Sequence, residues 1–294
     1  MSFKSAISES SPFFSAVYRL ERGIFRLKGY QSRFIQTPVG PIHVFEKHTK
    51  GTLPPVLLLH GLNASASSFR PLLTGIENQF SRILIPDFPG HGFSALPAAG
   101  LTPDAVQVGL FEALNQMVQD RVLLIGNSLG GIAAMRFASQ HPDKVRALLL
   151  ISPGGAMAEA NELRALLSQF YLDTFKDALR FVDNLHASPP WYRWLLALGM
   201  KGEFARPGIR HFLQTIGVKD LLTPDDLKQL SVPIDLIWGK QEKLFPQAHL
   251  AFFKQHLPAH ARIIEPEEFS HVPYLDRAKQ VAKYVLDFAH QHRM

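Results

Sequence analysis

Gly126-Asn127-Ser128-Leu129-Gly130 constrains this chain more than any other stretch. It sets a serine between glycines where an apolar run, Val122-Leu123-Leu124-Ile125, gives way to a helix-like run from Gly131 to Gln140. A strand turning abruptly into a helix lifts the central side chain out of the sheet on a strained backbone, and only residues with little or no side chain fit two positions before and after it. The same turn aims the backbone N–H of Leu129, at the start of the helix, at the space above the serine oxygen, where a tetrahedral intermediate would carry negative charge. The pattern predicts a nucleophilic serine with half an oxyanion hole built into its turn. A bare G-x-S-x-G arises by chance in roughly one chain in ten of this length. Its weight therefore comes from the flanking runs and from the residues later in the chain that could serve the serine.

A serine nucleophile needs a base, and the base needs an orienting acid. Ile234-Asp235-Leu236-Ile237-Trp238 reads as a buried strand and ends in Gly239-Lys240-Gln241-Glu242, which places a carboxylate just beyond the strand. Arg262-Ile263-Ile264 reads as another strand, followed by a loop carrying Phe269-Ser270-His271-Val272-Pro273. The order Ser128, Glu242, His271 is nucleophile, acid, base, as expected where three strand ends of one sheet converge. Glu265, Glu267 and Glu268 are the main competing acids, and Asp235 falls inside a strand. Of 13 histidines, His271 alone sits in a loop after the last strand, whereas His141, His249, His290 and His292 read as surface residues at helix ends.

From about Ser32 onward the chain resembles the α/β-hydrolase superfamily, in its serine esterase and lipase-like branch with a helical cap. His60-Gly61, after the run Val56-Leu57-Leu58-Leu59, is similar to the family's oxyanion-loop dipeptide; Asp87-Phe88-Pro89-Gly90-His91-Gly92-Phe93-Ser94 is similar to its D-x-x-G-x-G-x-S turn. Trp238-Gly239 through Pro246 resembles its W-G-x-x-D-x-x-x-P segment, with Glu242 where most relatives have Asp, and His271-Val272-Pro273 matches its histidine loop. The resemblance implies ester cleavage by a Ser128–His271–Glu242 triad, an oxyanion hole from the N–H groups of Leu129 and Leu62, a small-molecule ester as substrate and no cofactor. His60 and His91 are then loop-shaping residues. A C–C bond hydrolase of the meta-cleavage type is the nearest rival, since Ser152-Pro153-Gly154-Gly155 resembles those enzymes too, although Val272 stands where they usually carry Trp. A non-catalytic ligand-binding module on the same fold is the rival from another class.

The organisation along the chain fits. Phe34-Ile35-Gln36-Thr37 and Ile42-His43-Val44-Phe45 flank Pro38-Val39-Gly40-Pro41 and predict a β-hairpin. Strands at 56–60, 83–86, 122–125 and 148–152 then alternate with helices near 67–78, 103–119 and 129–140, which predicts an α/β fold with a doubly wound, mostly parallel sheet. Ligands lie at the carboxyl ends of such strands. Between Gly155 and Ile234 the alternation stops, and a structureless loop of that length is implausible. Helices are expected at 158–169, 171–185, 190–200, 208–216 and 224–230, an inserted α-helical cap. The domains expected are residues 1–31, an N-terminal amphipathic segment; 32–153 with 231–294, the core; and 154–230, the cap. The cap's aromatics, Phe170, Tyr171, Phe175, Phe181, Trp191, Tyr192, Trp194 and Phe204, read mainly as packing residues, and Arg164, Arg180, Arg193, Arg206 and Arg210 as mainly solvent-facing.

Phe13, Val17, Leu20, Ile24 and Leu27 share one stripe at helical spacing while Arg19, Arg22 and Arg26 share the opposite face, and Ser11-Pro12 starts such a helix well. The expectation is a helix over 11–28 with its apolar face buried, against protein as the favoured partner or in peripheral contact with a membrane surface. A net charge of +6 comes from singly scattered basic residues with no tract of five or more, which argues against nucleic-acid binding. No run approaches eighteen apolar residues, the N-terminus lacks an apolar h-region, and a cytoplasmic location is the default. With no cysteine the chain has no disulfide or thiolate chemistry. A metal site is not expected: His256 and His260 are split by Pro258, which spoils a helical ligand pair.

Overall fold

The computed structural model describes residues 4–293, with the side chain of Phe13 outside the described part. An N-terminal helix, α1 (Pro12–Leu27), precedes the hairpin β1 (Gln31–Ile35) and β2 (Ile42–His48). There follow β3 (Val56–Leu59), α2 (Arg70–Ile76), β4 (Arg82–Pro86), α3 (Pro103–Met117), β5 (Val122–Ser128), α4 (Leu129–Gln140) and β6 (Val145–Pro153). Five helices come before the next strand: α5 (Ala160–Ser168), α6 (Phe175–Leu185), α7 (Arg193–Phe204), α8 (Pro207–Thr215) and α9 (Pro224–Lys228). The chain closes with β7 (Ile234–Ile237), α10 (Gln247–His256), β8 (Arg262–Ile264), α11 (Pro273–Asp276) and α12 (Ala278–Gln291).

The strands form one eight-stranded sheet in the order β1-β2-β4-β3-β5-β6-β7-β8, antiparallel across β1/β2 and β2/β4 and parallel elsewhere. The central strands read as unbroken apolar runs because helices cover both faces of a parallel sheet, and β3, β5 and β7 are buried along their whole length. α4 packs on β5 and β6, and α12 packs on α2. The chain direction across the sheet reverses where β3 lies between β4 and β5, so their carboxyl ends flank the crevice in which such folds bind ligands. β5 continues three residues beyond the expected Ile125, because Gly126 and Asn127 keep pairing with Leu150 and Ile151 of β6.

The helix over 11–28 forms as expected. Ser11 caps it by accepting the Phe14 N–H at 3.3 Å, and Pro12 occupies the first turn. Its burial departs from expectation: Leu20 is 65% exposed and Leu27 90% exposed, so within this chain the apolar stripe is not the buried face. The helix is rotated instead to bury Phe25, which stacks on Phe45 with ring centroids 4.3 Å apart. Arg22 also turns inward, its guanidinium 4.8 Å from the Phe93 ring and its Nε donating to Ser32 Oγ at 2.8 Å. Aromatic stacking and a cation over a ring outweigh simple segregation by polarity. Among the described residues, no helix is long and apolar enough to cross a membrane.

Candidate active site

Ser128 is the last residue of β5 and the N-cap of α4, with φ 55° and ψ −118°, a left-handed conformation that a side chain adopts only under constraint. The constraint is packing. A Cβ added at Gly126 would lie 2.4 Å from the Gly130 carbonyl oxygen, and one added at Gly130 would lie 2.1 Å from that of Leu59. The two glycines let the β5–α4 turn press against itself and against the end of β3. The result raises Ser128 into a cavity of about 520 Å³ whose lining also includes Gly61, Leu62, Asn63 and His271. Leu129 begins α4, where the first N–H groups have no partner within the helix.

His271 and Glu242, 29 residues apart, meet at the ends of β7 and β8. The Nδ1–H of His271 donates to Glu242 Oε2 at 2.8 Å, and Oε1 of the same carboxylate accepts the N–H groups of Leu244 and Phe245 at 2.8 and 3.1 Å. Burial pushes the Glu242 carboxyl up, but the His271 ring, with smaller help from the Ser152 hydroxyl and the Phe245 N–H, outweighs it and holds the carboxyl below the usual glutamate range. The competing acids are engaged elsewhere: Glu265 with Lys254, Glu267 with Lys240, Glu268 with Arg277, and Asp235 with Arg262. Phe245 lies edge-on to the His271 ring at 4.9 Å, leaving the imidazole little room to rotate.

Sequence reasoning missed several supporting residues. Asn127 donates from Nδ2 to the backbone oxygens of Ile151 and His271, each at 2.9 Å, and accepts from the Tyr274 hydroxyl at 3.0 Å, so the residue beside the serine braces the histidine loop. His186 and Asp276 pair at 2.5 Å and both line the cavity, and Asp276 also accepts from Ser270 Oγ at 3.0 Å. No local pattern announces either contact, because the partners are far apart in sequence. His60 donates from Nδ1 to the Gly61 carbonyl at 2.8 Å and accepts the Phe88 N–H at Nε2 at 3.1 Å; His91 reaches the Pro89 carbonyl at 2.9 Å. Both histidines shape loops.

The structure corrects two further expectations. His249 is buried, because its ring packs 5.3 Å from Phe245. Arg206 is not solvent-facing but 4% exposed and paired with Glu203. Of the eight aromatics expected mainly to pack, Phe170, Phe181 and Tyr192 line the cavity, while Trp191 and Trp194 stand out in solvent. The remaining wall is largely apolar, with Val182, Leu185, Leu196 and Met200 among it. Arg70 is the one arginine lining it among the described residues, and its Nε lies 2.9 Å from Glu21 on α1.

Comparisons agree with this architecture. A model of the alpha/beta hydrolase family matches residues 56–284. An uncharacterized protein of Mycobacterium tuberculosis is 34% identical over 118 residues, 40% of this chain; the match spans about a third, 34%, of that relative's length. A pimeloyl-(acyl-carrier protein) methyl ester esterase of Vibrio vulnificus is 26% identical over 258 residues, 82% of this chain and 96% of the relative. Among solved structures, a membrane phospholipase A described as a bacterial virulence factor superposes with a TM-score of 0.79 at 20% identity, covering 96% of this chain and 91% of that one. A meta-cleavage product hydrolase superposes with a TM-score of 0.73 at 17% identity, covering 88% and 98%.

Proposed function

This chain belongs to the alpha/beta hydrolase family, and from that premise we propose that it is a serine hydrolase cleaving carboxylic esters through an acyl-enzyme. Ser128 Oγ attacks the ester carbonyl carbon while His271 Nε2 takes its proton. The oxyanion that forms is held by the backbone N–H groups of Leu129 and Leu62. Glu242, ionised and bonded to Nδ1, holds the ring in the tautomer that accepts at Nε2 and stabilises the imidazolium. Collapse breaks the bond to the alcohol, which leaves with the proton from His271. Water, deprotonated by His271, then attacks the acyl-enzyme, releasing the acid and restoring Ser128. Residues 32–153 and 231–294 supply this machinery, 154–230 cap it, and 1–31 form the N-terminal segment.

The observation that carries the reading is the Glu242–His271 pair, whose histidine lines the same cavity as a serine held in a left-handed strand-to-helix turn. Ester cleavage is favoured over the C–C hydrolase because a dienoate carboxylate needs an unpaired cation, and the cavity's arginine already faces Glu21. A binding module does not need a strained serine. The test is covalent labelling by a fluorophosphonate probe together with p-nitrophenyl ester turnover. Wild type should be labelled, and Ser128→Ala should lose both labelling and turnover, the latter by on the order of 10⁴ to 10⁶. Labelling that persists in Ser128→Ala would overturn the assignment.

The exposed Leu20 and Leu27, on a helix that also exposes Arg19 and Arg26, favour a further element of this reading: peripheral contact of α1 with an anionic membrane surface.

A further inference from the structure

Arg206, at the N-cap of α8, divides its guanidinium among three separate parts of the chain. Nη2 donates to Asn63 Oδ1 at 2.6 Å, Nη1 to the Ala6 carbonyl at 3.2 Å, and Nε lies 3.2 Å from the Glu203 carboxylate. Glu203 also accepts from Ser10 Oγ at 3.0 Å, and Glu9 accepts the Gly208 N–H at 3.2 Å, so the N-terminal arm and the inserted helices are tied around the same cation. A buried charge is tolerated only when paired and hydrogen-bonded. Arginine's planar guanidinium presents its five donors in fixed directions and so holds separate acceptors in a set arrangement, which the ammonium on lysine's flexible stem does not.

Asn63 is the residue next to Leu62, in the loop that crosses directly over the nucleophile. A Cβ added at Gly61 would lie 3.3 Å from Ser128 Cβ. Asn63 has φ 57°, a left-handed conformation that Asn tolerates better than most residues but that still needs holding. Its oxygen is taken by Arg206, and its Nδ2 is buried with no hydrogen-bond partner among the described residues. The side chain therefore has one polar anchor, a charge-assisted bond to a cation on the inserted helices, and such bonds are about twice as strong as neutral ones.

We propose, building on the serine-hydrolase reading above, that Arg206 is a positioning residue: through Asn63 it fixes the Gly61–Asn63 turn so that the Leu62 N–H faces the oxyanion formed at Ser128. The effect falls on the transition state, because an oxyanion donor is set to the position of the developing charge and not to that of the ground-state carbonyl. It also couples the hole to the inserted helices, since moving α8 off the core pulls on Asn63.

Removing Arg206 leaves Glu203 buried and unpaired and risks misfolding, so Asn63 carries the test. Asn63→Gly keeps the left-handed turn and deletes the anchor; Asn63→Asp keeps an acceptor for Arg206. The measurements are kcat and KM for p-nitrophenyl butyrate, inhibition by a trifluoromethyl ketone, which forms a tetrahedral oxyanion on serine, and inhibition by butyrate, a ground-state mimic. Asn63→Gly should lower kcat about 10²-fold and weaken the ketone by the same factor, with KM and butyrate inhibition unchanged. Asn63→Asp should restore kcat to within about threefold of wild type. An Asn63→Gly enzyme that keeps its kcat, or one that loses ketone and butyrate affinity equally, overturns the proposal. Full turnover in Ser128→Ala would instead overturn the serine-hydrolase reading on which it rests.

Discussion

The Nδ1–H of His271 donates to Glu242 Oε2 at 2.8 Å, across a sequence separation that only the convergence of β7 and β8 closes. Glu242 is the position where the chain departs from the family segment it resembles, so a conservative change there is most informative. Glu242→Gln should lower kcat by about 10⁴, because an amide can stabilise the wrong imidazole tautomer and cannot stabilise the imidazolium. Glu242→Asp should be milder, about 10², since the carboxylate keeps its charge but falls about 1 Å short. Glu265→Gln, Glu267→Gln and Glu268→Gln should each leave turnover unchanged. A loss at one of those three with Glu242→Gln fully active would move the acid into the histidine loop.

The strain at Ser128 depends on two glycines that touch backbone. Gly130→Ala and Gly126→Ala each place a methyl inside 2.5 Å of a carbonyl oxygen, at 2.1 and 2.4 Å, which no side-chain adjustment relieves. Each should cost about 1 to 3 kcal/mol of stability in urea denaturation, and turnover should fall more than the folded fraction does. Alanine variants with wild-type stability and turnover would show that the turn is not held by this contact.

The strand-to-helix turn at Ser128, the loops that carry Glu242 and His271 and the helices between β6 and β7 are legible because each is written in contiguous residues: an apolar run, a glycine pair, a helical period. The supporting contacts are not. Arg206 and Asn63 are 143 positions apart, and Asn127 reaches the His271 carbonyl across 144, so nothing local marks them. The face of α1 departs from its periodicity for a different reason. Periodicity sorts residues by polarity, and it cannot register that the Arg22 guanidinium finds the Phe93 ring and the Ser32 hydroxyl inside. His249 departs similarly, because a polar residue near a helix end reads as surface until an aromatic such as Phe245 covers it.

The apolar wall made by Val182, Leu185, Leu196 and Met200 should make kcat/KM rise from acetyl to hexanoyl esters. Each buried methylene contributes up to about 0.8 kcal/mol, or roughly fourfold. A flat profile across a graded p-nitrophenyl ester series would exclude an acyl pocket in this wall.

His91 is buried, and that burial pushes its pKa down to about 3. An unfolded histidine titrates near 6.5. Below that pH the unfolded chain takes up a proton that the folded chain refuses, so stability present above pH 6.5 is lost as pH falls toward 3. The slope is on the order of 1 kcal/mol per pH unit for each such histidine. His91→Gln should flatten the pH dependence of the urea midpoint between pH 6 and 4 by about one histidine's share. An unchanged slope would mean that His91 takes its proton in the folded state.

Leu20 and Leu27 stand exposed beside Arg19 and Arg26 on a helix that packs through its other side on β1. An apolar ridge with adjacent cations suits an anionic membrane surface, where leucines enter the acyl boundary and arginines meet headgroups. The protein should co-sediment with vesicles of phosphatidylcholine and phosphatidylglycerol, less so at high salt, and poorly with phosphatidylcholine alone. Leu20→Asp together with Leu27→Asp should abolish co-sedimentation and leave turnover of soluble p-nitrophenyl butyrate intact, because neither side chain lines the cavity. The competing occupant of the ridge is a second copy of the chain. If wild type ignores vesicles but forms a concentration-dependent dimer that the same substitutions dissolve, the ridge is an interface between subunits and the membrane assignment fails.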